Sequence, residues 1–385
     1  MFRSAWTLLA LVALAAPAMA QDGGDFVVRL GTDTTGFERY TRSGNRLEVE
    51  QVGRVPRVFH RKYTYEISGQ GTKKASATIR TPDAPAPVKA FQQLDTELRG
   101  DSAFTTIVLD TTTRTVRVAV PKGTVFGANS APWAVYEQQT MKLAKSKADT
   151  LGAPLYFLGG TGLSSITVKK LGKDSMVVAT QNDTYHARVD AAGRIQGVRP
   201  IRGTQAYSVD RAAKLDIPAL AAAFAAREKA AGQMGALSTR DTVRASAAGA
   251  AFLVDYSRPS KRGRAIYGAL VPYGQVWRTG ANTATMFRTD KNLQFGDKTL
   301  PAGSYSLFTI PEASGWTLIV NSETNQPGTA HNAAKDVFRI PMTVSALSEP
   351  VERFTISVTP GEGNAGTLNL DWDTTRASAG FTVAP

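Results

Sequence analysis

The stretch from Asp255 to Asn282 has the residue types and spacing in this sequence that are best suited to chemistry. It reads DYSRPSKRGRAIYGALVPYGQVWRTGAN and contains five cationic side chains, six Gly or Pro residues, four aromatic residues and a terminal Asn. A guanidinium presents five donors in a planar fork that suits carboxylate, phosphate or sulfate. Aromatic rings stack on sugars and cations, and an amide both donates and accepts. The sequence therefore predicts a site for a polar or anionic ligand, formed by Tyr256, Arg258, Arg264, Trp277, Arg278 and Asn282.

Two other interpretations of this stretch stay open. In a structural corner, Arg258 or Arg278 would pair with Asp255 or with carbonyls at strand ends, and Trp277 would be a central residue of the core. In an enzyme acting on an envelope glycan or a related polar substrate, Asp255 would be the acid or base and the two arginines would stabilise developing charge. A catalytic carboxylate would need a raised pKa, which binding alone does not require.

Residue types that often carry catalysis or bind metals are scarce. The chain has no Cys, which excludes disulfides, thiol catalysis and Cys-ligated metals. Its three histidines, His60, His186 and His331, are not at ligand spacing, so we expect neither a metal site nor a cofactor. No G-x-S-x-G motif is present. Asp371 and Asp373 share one face of a predicted strand, and we expect that face to be solvated.

Residues 1–20 have the pattern of a secretory signal peptide. MFRSAW carries one Arg, TLLALVALAAP is an apolar run too short to span a bilayer, and AMA supplies small residues at a cleavage site. Gln21 would then be the first residue of the mature protein. No later stretch is long and apolar enough to cross a membrane. We therefore expect a bacterial protein that is periplasmic or secreted and has no transmembrane segment once the signal is removed.

The positive charge is unevenly distributed. The net charge is +13, yet residues 239–385 carry 14 Lys and Arg against 12 Asp and Glu. Residues 21–238 carry 30 against 20, so the basic surplus belongs to the first half of the mature chain. Basic proteins often bind nucleic acid, but for an exported protein we expect anionic envelope lipids or acidic glycans instead. Plain solubility is the other explanation of the charge.

Most of the chain has the period-two pattern of half-buried antiparallel strands, as in DFVVRL, RLEVEQV and KYTYEIS. A first helix is predicted to follow Ser130, with Pro132 in its first turn, and to end near Lys147. A second helix is predicted at about 216–234, with Asp216 as its N-cap. The fold class is therefore mainly β. It comprises an antiparallel β-rich N-terminal domain with one or two helices, for which a curved half-barrel is one candidate, and a C-terminal antiparallel β-sandwich.

We place a domain boundary just after the second helix, which gives a basic β-rich domain at 21–235 and a second domain at 236–385. The second domain contains DTVRA, DYSRPSKRGR, LVPYGQVWRTGAN, PAGSYSLFTIP and LIVN in this order. With these motifs it resembles the DUF2911 family of exported domains of unknown function. The resemblance implies a β-sandwich and an exported setting, and it implies no activity. The first domain matches no family that we can name, and its similarity to lipoprotein-carrier and other envelope lipid-binding folds is an analogy of fold.

These observations together favour an exported cell-envelope protein that binds a ligand without catalysis. The basic first domain would bind an anionic or amphipathic envelope component, such as an anionic lipid. The second domain would bind a polar or anionic small molecule, a glycan or a partner. A hydrolase acting on envelope glycan and a purely structural envelope protein are the alternatives.

Overall fold

A computed structural model describes residues 22–69, 71–81, 89–128, 132–181, 183–203 and 206–384. The predicted signal peptide lies outside these residues. In the described part of the chain, strands form two largely antiparallel sheets, as the alternating sequence pattern predicted. No helix in that part is both long and apolar enough to cross a membrane.

The first sheet has fifteen strands in the order β8-β7-β6-β5-β4-β3-β2-β1-β15-β14-β13-β12-β11-β10-β9. Neighbouring strands are antiparallel except for the parallel pair β9 and β10. The strands are β1 (Asp22–Leu30), β2 (Asp33–Ser43), β3 (Arg46–Gly53), β4 (Phe59–Ser68), β5 (Gly71–Arg80), β6 (Phe91–Arg99), β7 (Ser102–Leu109), β8 (Thr112–Ala119), β9 (Val125–Gly127), β10 (Thr150–Phe157), β11 (Leu163–Gly172), β12 (Ser175–Thr180), β13 (Thr184–Val189), β14 (Ile195–Arg202) and β15 (Tyr207–Ala212).

The first sheet is rolled, so that strands far apart in its order meet. β7 and β10 lie near opposite edges, yet Thr105 Oγ1 and Tyr156 Oη are 2.9 Å apart. On β5, the Thr72 N–H donates to the Thr124 carbonyl next to β9 at 3.0 Å. Right-handed strand twist accumulates over many strands and produces such curvature. The sheet does not close into a barrel, and its concave side holds the larger hydrophobic core.

The helix α1 (Trp133–Ala144) lies within this roll. It begins after Pro132, which is its N-cap residue rather than part of its first turn as predicted, and it ends at Ala144 rather than near Lys147. Eight of its twelve residues are buried, so the helix is enclosed by the sheet rather than laid on its surface. Glu137 is fully buried there, and its carboxylate accepts hydrogen bonds from the guanidiniums of Arg42 and Arg211.

The helix α2 (Ile217–Ala231) begins where the sequence predicted. The Asp216 side chain accepts a hydrogen bond from the Ala219 N–H at 3.0 Å, which is the expected N-cap. Ile217 and Phe224 are buried against Val52 and Val58. Gly232 ends the helix at a φ of 79°, and the proposed domain boundary near residue 235 lies in the segment that follows.

The second sheet has nine strands in the order β16-β17-β18-β21-β22-β23-β24-β19-β20. They are β16 (Ser238–Ala247), β17 (Ala250–Pro259), β18 (Thr285–Thr289), β19 (Leu293–Phe295), β20 (Lys298–Leu300), β21 (Gly303–Pro311), β22 (Trp316–Asn321), β23 (Asp336–Pro360) and β24 (Ala365–Val383). A short 3-10 helix at Ala333–Lys335 precedes β23.

The second sheet folds over a core of its own. The ring of Phe252 on β17 lies 5.3 Å from that of Phe381 on β24, and Tyr256 Oη accepts a hydrogen bond from the Ile356 N–H. The inward residues that the sequence pattern predicted, such as Leu318 and Leu370, are fully buried. The architecture is thus the sandwich-like packing of an antiparallel sheet that the fold class anticipated.

Candidate functional site

The carboxylate of Asp255, the candidate acid or base, is held by a neighbouring strand. Arg240 on β16 donates two hydrogen bonds to it, at 2.6 and 2.7 Å. Alternate residues of a strand face opposite sides, so Asp255 and Arg258 on β17 point away from one another. The partner of Asp255 is therefore Arg240 rather than Arg258 or Arg278.

Arg258 connects β17 to the neighbouring strands. Its Nε donates to the Phe354 carbonyl at 3.0 Å, its Nη1 to the Asp241 carboxylate at 3.0 Å and its Nη2 to Thr355 Oγ1 at 2.7 Å. All three nitrogens of the guanidinium thus bind protein groups. This geometry is that of the structural corner that we considered for the stretch.

Tyr256 and Trp277 belong to the core of the second sheet. Tyr256 is 1% exposed, and Trp277 is 8% exposed. The indole of Trp277 donates to the Gly280 carbonyl at 3.1 Å and stacks on Trp372 with ring centroids 6.0 Å apart. Both side chains therefore pack against protein, and neither presents an open aromatic face to a ligand.

The remaining predicted residues occupy three different environments. Arg264 donates to the Lys261 carbonyl, and burial together with the Arg262 charge lowers its pKa to about 10. Burial also lowers the pKa of Arg278, and the Asp183 charge on the first sheet counteracts this. Asn282 is exposed in the left-handed region, at a φ of 62°.

The predicted set therefore does not converge on one cavity. None of its members, nor Asp255, lines the cavity of the first sheet that is described below. A ligand role for this set stays a prediction.

The same stretch brings the two sheets into contact. The Arg262 carbonyl accepts a hydrogen bond from the Thr32 N–H at 3.2 Å, in the turn between β1 and β2. The Arg262 guanidinium pairs with Asp33 at 3.0 Å. Gly31 has a φ of 59°, and a Cβ there would lie 1.8 Å from the Arg262 carbonyl oxygen. Only glycine is compatible with this close approach.

A cavity of about 560 Å³ lies on the concave side of the first sheet. Its volume is in the range of small-molecule sites. The lining is rich in aromatic residues, and it also includes Leu237 from the segment that joins the two sheets. The aromatic residues at the wall include Phe59, Trp133, Tyr136, Phe157, Tyr185 and Tyr207.

A row of polar side chains crosses the inner face of three strands beside this cavity. Glu38 on β2 lies opposite Gln51 on β3, and Gln51 lies opposite Arg61 on β4. Gln51 is part of the cavity wall and donates from Nε2 to Glu38 at 2.8 Å. Complete burial raises the pKa of Glu38 to about 7, against the lowering effect of its hydrogen bonds. The register of the three strands places these side chains next to one another, and each of them can donate or accept hydrogen bonds.

Arg61 is the unusual member of this row. Its guanidinium lies 3.3 Å from the centroid of the Phe59 ring. Its Nη1 is buried and finds no hydrogen-bond partner among the residues that the structure describes. Burial lowers its pKa, while the Tyr63 and Tyr207 hydroxyls favour the charged form. A buried guanidinium nitrogen without a hydrogen-bond partner is costly, so it needs an explanation.

The sequence contains the signal that identifies Arg61. Tyr63 and Tyr65 are the buried face of β4, and residue 61 shares their parity in the run FHRKYTYEIS. A charged residue on the apolar face of an alternating strand departs from the pattern expected for a core. The run KYTYEIS, on which the strand prediction rests, begins at Lys62 and therefore does not include Arg61.

The histidines and the paired aspartates have protein partners. His60 bonds Glu50, His186 bonds Ser175 and His331 bonds Asp336. Among the described residues there is no group of three or more side chains that could hold a metal ion.

The expectation that Asp371 and Asp373 are solvated was wrong. Asp371 is 7% exposed and paired with Arg376, and Asp373 is paired with Lys261. The two cations are Arg376 on β24 and Lys261 in the loop after β17, and each lies close enough to form an ion pair.

Comparisons with known proteins inform the second sheet alone. No curated protein matches the chain. One solved structure, from work titled "Cell entry of botulinum neurotoxin type C is dependent upon interaction with two ganglioside molecules", is 8% identical over 95% of this chain and 89% of its own, with a TM-score of 0.12. That score supports no conclusion about fold. Residues 238–381 match the family DUF2911, described as a protein of unknown function. This part of the chain therefore resembles the DUF2911 family, as its sequence motifs indicated.

Proposed function

We propose that this protein is an exported binding protein whose first sheet holds an amphipathic small molecule in the 560 Å³ cavity. The observation that carries the proposal is the cavity wall, on which seven aromatic residues surround a few polar groups. Such walls are typical of small-molecule sites, because apolar surface provides affinity and a few polar atoms fix orientation. The signal-like residues 1–20 and the basic surplus of residues 21–238 support an envelope setting.

Binding rather than catalysis is favoured by the contacts of the candidate catalytic group. The Asp255 carboxylate is engaged by Arg240 and lies on the second sheet, away from the cavity. Glu38 is a carboxylate with a raised pKa, but it is fully buried and its oxygens accept hydrogen bonds from Gln51 and from the start of α1. A general acid or base must reach the substrate proton directly or through one water.

The proposal is tested with a neutral apolar fluorophore, N-phenyl-1-naphthylamine, added to the chain from Gln21 onward. Ser164 lies on the inner side of β11 and lines the cavity, whereas Ser165, the next residue, is exposed on the outer side. Ser164→Phe is expected to fill part of the cavity and weaken probe binding by about tenfold or more. Ser165→Phe is the matched control and should leave it unchanged.

Two results would count against a cavity site. The first is a wild-type protein that does not enhance the emission of the probe. The second is equal weakening by the two substitutions, which would place the probe elsewhere on the surface.

A further inference from the structure

Arg61 differs from the other cations on the inner face of the first sheet. Arg42 and Arg211 are also partly buried, and both bind the carboxylate of Glu137. The Nη1 atom of Arg61 is buried and has no hydrogen-bond partner among the residues that the structure describes. The rolled sheet therefore compensates two of these three charges internally. The third is directed to the part of the interior where Phe59 and Tyr207 line the cavity.

Gln51, the cross-strand neighbour of Arg61, has a buried acceptor oxygen that receives no hydrogen bond from the described residues. Its amide nitrogen donates to Glu38 at 2.8 Å, and its Oε1 is buried without a donor in the described part of the chain. Cross-strand partners of an antiparallel pair have Cβ atoms about 5 Å apart. Gln51 is thus part of the cavity wall, and Arg61, its cross-strand neighbour, packs over the ring of Phe59, which also lines the cavity.

From this juxtaposition we infer that Arg61 and Gln51 form the head-group subsite for an amphipathic carboxylic acid that carries a hydrogen-bond donor beside the carboxylate. The carboxylate would accept from Arg61, and an adjacent hydroxyl or amide N–H would donate to Gln51 Oε1. Hydroxy fatty acids and N-acyl amino acids have this chemistry. The inference rests on the proposed function, because the apolar part of such a molecule would occupy the cavity.

A head group with a single negative charge suits the electrostatics better than a dianionic phosphate. One guanidinium compensates one charge, whereas two further carboxylates border the same interior. Glu38 is next to Gln51, and Asp183 lies at the cavity wall between β12 and β13. A second negative charge on the ligand would be repelled by both of them. The repulsion from Asp183 would keep the carboxylate at β3 and β4 and direct the apolar chain toward Trp133 and Phe157.

The experiment compares ligands of similar overall length and different head groups. Tetradecanoic acid, its methyl ester, 3-hydroxytetradecanoic acid, N-decanoylglycine and tetradecyl phosphate displace the neutral fluorophore from the chain starting at Gln21. The wild type is expected to bind the acid about tenfold or more tightly than the ester, because a charge-assisted hydrogen bond is lost in the ester. The hydroxy acid and the acylglycine should bind more tightly than the plain acid.

Two substitutions of equal charge separate a local contact from the general field of the protein. Arg61→Met removes the inward guanidinium and retains an unbranched apolar side chain. Lys62→Met, on the next residue of β4, removes an outward cation whose side chain is 67% exposed. Arg61→Met should bind acid and ester equally while keeping the affinity for the ester, and Lys62→Met should keep the preference for the acid. Gln51→Leu should keep the preference for acid over ester and lose that for the donor-bearing acids.

Thermal unfolding in the absence of ligand adds a readout that distinguishes binding from structure. Removing a buried, unpaired charge should leave the melting temperature of Arg61→Met unchanged or higher. A clear fall in melting temperature together with a retained preference for the acid would assign Arg61 a structural role and overturn the inference.

The failure of this inference differs from the failure of the proposed function. Equal wild-type affinities for acid and ester, or tighter binding of tetradecyl phosphate than of the acid, would refute the carboxylate subsite and leave the cavity function standing. If no compound and no fluorophore binds the wild type, the proposed function itself fails.

Discussion

The start of helix α1 supports a quantitative prediction about pH. Pro132 precedes the helix and provides no side-chain cap. The Glu38 carboxylate, from strand β2, instead accepts hydrogen bonds from the Trp133 and Ala134 N–H groups at 2.9 and 2.8 Å. A negative charge is favoured at a helix N-terminus, but complete burial disfavours it. Burial is the larger effect here and raises the pKa of Glu38 from 4.5 to about 7.

A carboxyl group whose pKa is higher in the folded protein stabilises the fold at low pH. Its contribution is fully present below the unfolded pKa and is lost as pH rises through the folded value. A shift from 4.5 to about 7 in the pKa of Glu38 therefore corresponds to a loss of about 3 kcal/mol in the free energy of unfolding. Of this, about 2.5 kcal/mol should be lost between about pH 5 and about pH 8.5.

Glu38→Gln removes the titration and should remove this part of the pH dependence. Urea unfolding curves at both pH values, read by pulsed hydrogen exchange of the peptide that covers α1, report the first sheet without interference from the second. The comparison uses the difference between wild type and variant, because other groups titrate in the same interval. Glu48→Gln, on an exposed carboxylate of β3, should behave as the wild type does.

The reasoning is refuted if wild type and Glu38→Gln lose the same stability over this interval. It is also refuted if the wild type gains stability relative to the variant as pH rises. Either result would mean that the helix N-terminus stabilises the charged carboxylate at least as much as burial destabilises it.

Three further predictions concern stability. Glu137→Gln should cost about 3–5 kcal/mol in the unfolding free energy of the first sheet, because it leaves two buried guanidiniums without their carboxylate; a loss below 1 kcal/mol in urea would contradict this. Gly31→Ala should be more destabilising than Gly100→Ala and should speed hydrogen exchange at 260–264. The two glycines have similar φ values, 59° and 62°, but only at Gly31 would a Cβ meet a backbone oxygen. Equal effects would mean that the contact with Arg262 is unimportant. Arg258→Met should destabilise the second sheet by about 2 kcal/mol, measured in urea, and leave fluorophore binding unchanged; weaker binding would instead give this arginine a role in the cavity.

Local patterns in the sequence determined the secondary structure to a large extent. The parity of apolar residues identified inward positions such as Tyr63 and Leu370, because a strand turns alternate side chains to opposite faces. Asp216 identified the start of α2, because an N-cap acts on backbone groups within its own helical turn. The resemblance to DUF2911 was also readable from the sequence, because it rests on motifs within residues 238–381.

Only the tertiary structure decided which residues meet. Glu38 caps a helix that begins about a hundred residues later, and Arg240, rather than an arginine of the opening stretch, binds Asp255. Contacts of this kind depend on strand order and on the rolling of the sheet, which residue types do not encode locally. The stretch 255–282 was rich in groups suited to a ligand, yet the fold directs several of them to the core and to strand carbonyls.

The cavity and its polar row are the clearest instance of this division. From the sequence, parity places Arg61 on the buried face of β4, since alternation is a property of a single strand. Whether a carboxylate lies opposite that guanidinium depends on which strands, distant in the chain, surround α1 in the folded sheet. In this structure Nη1 of Arg61 has no hydrogen-bond partner among the described residues. Burial and partners are properties of the assembled sheet, so a charge that looks unremarkable in the sequence becomes a binding group only in the fold.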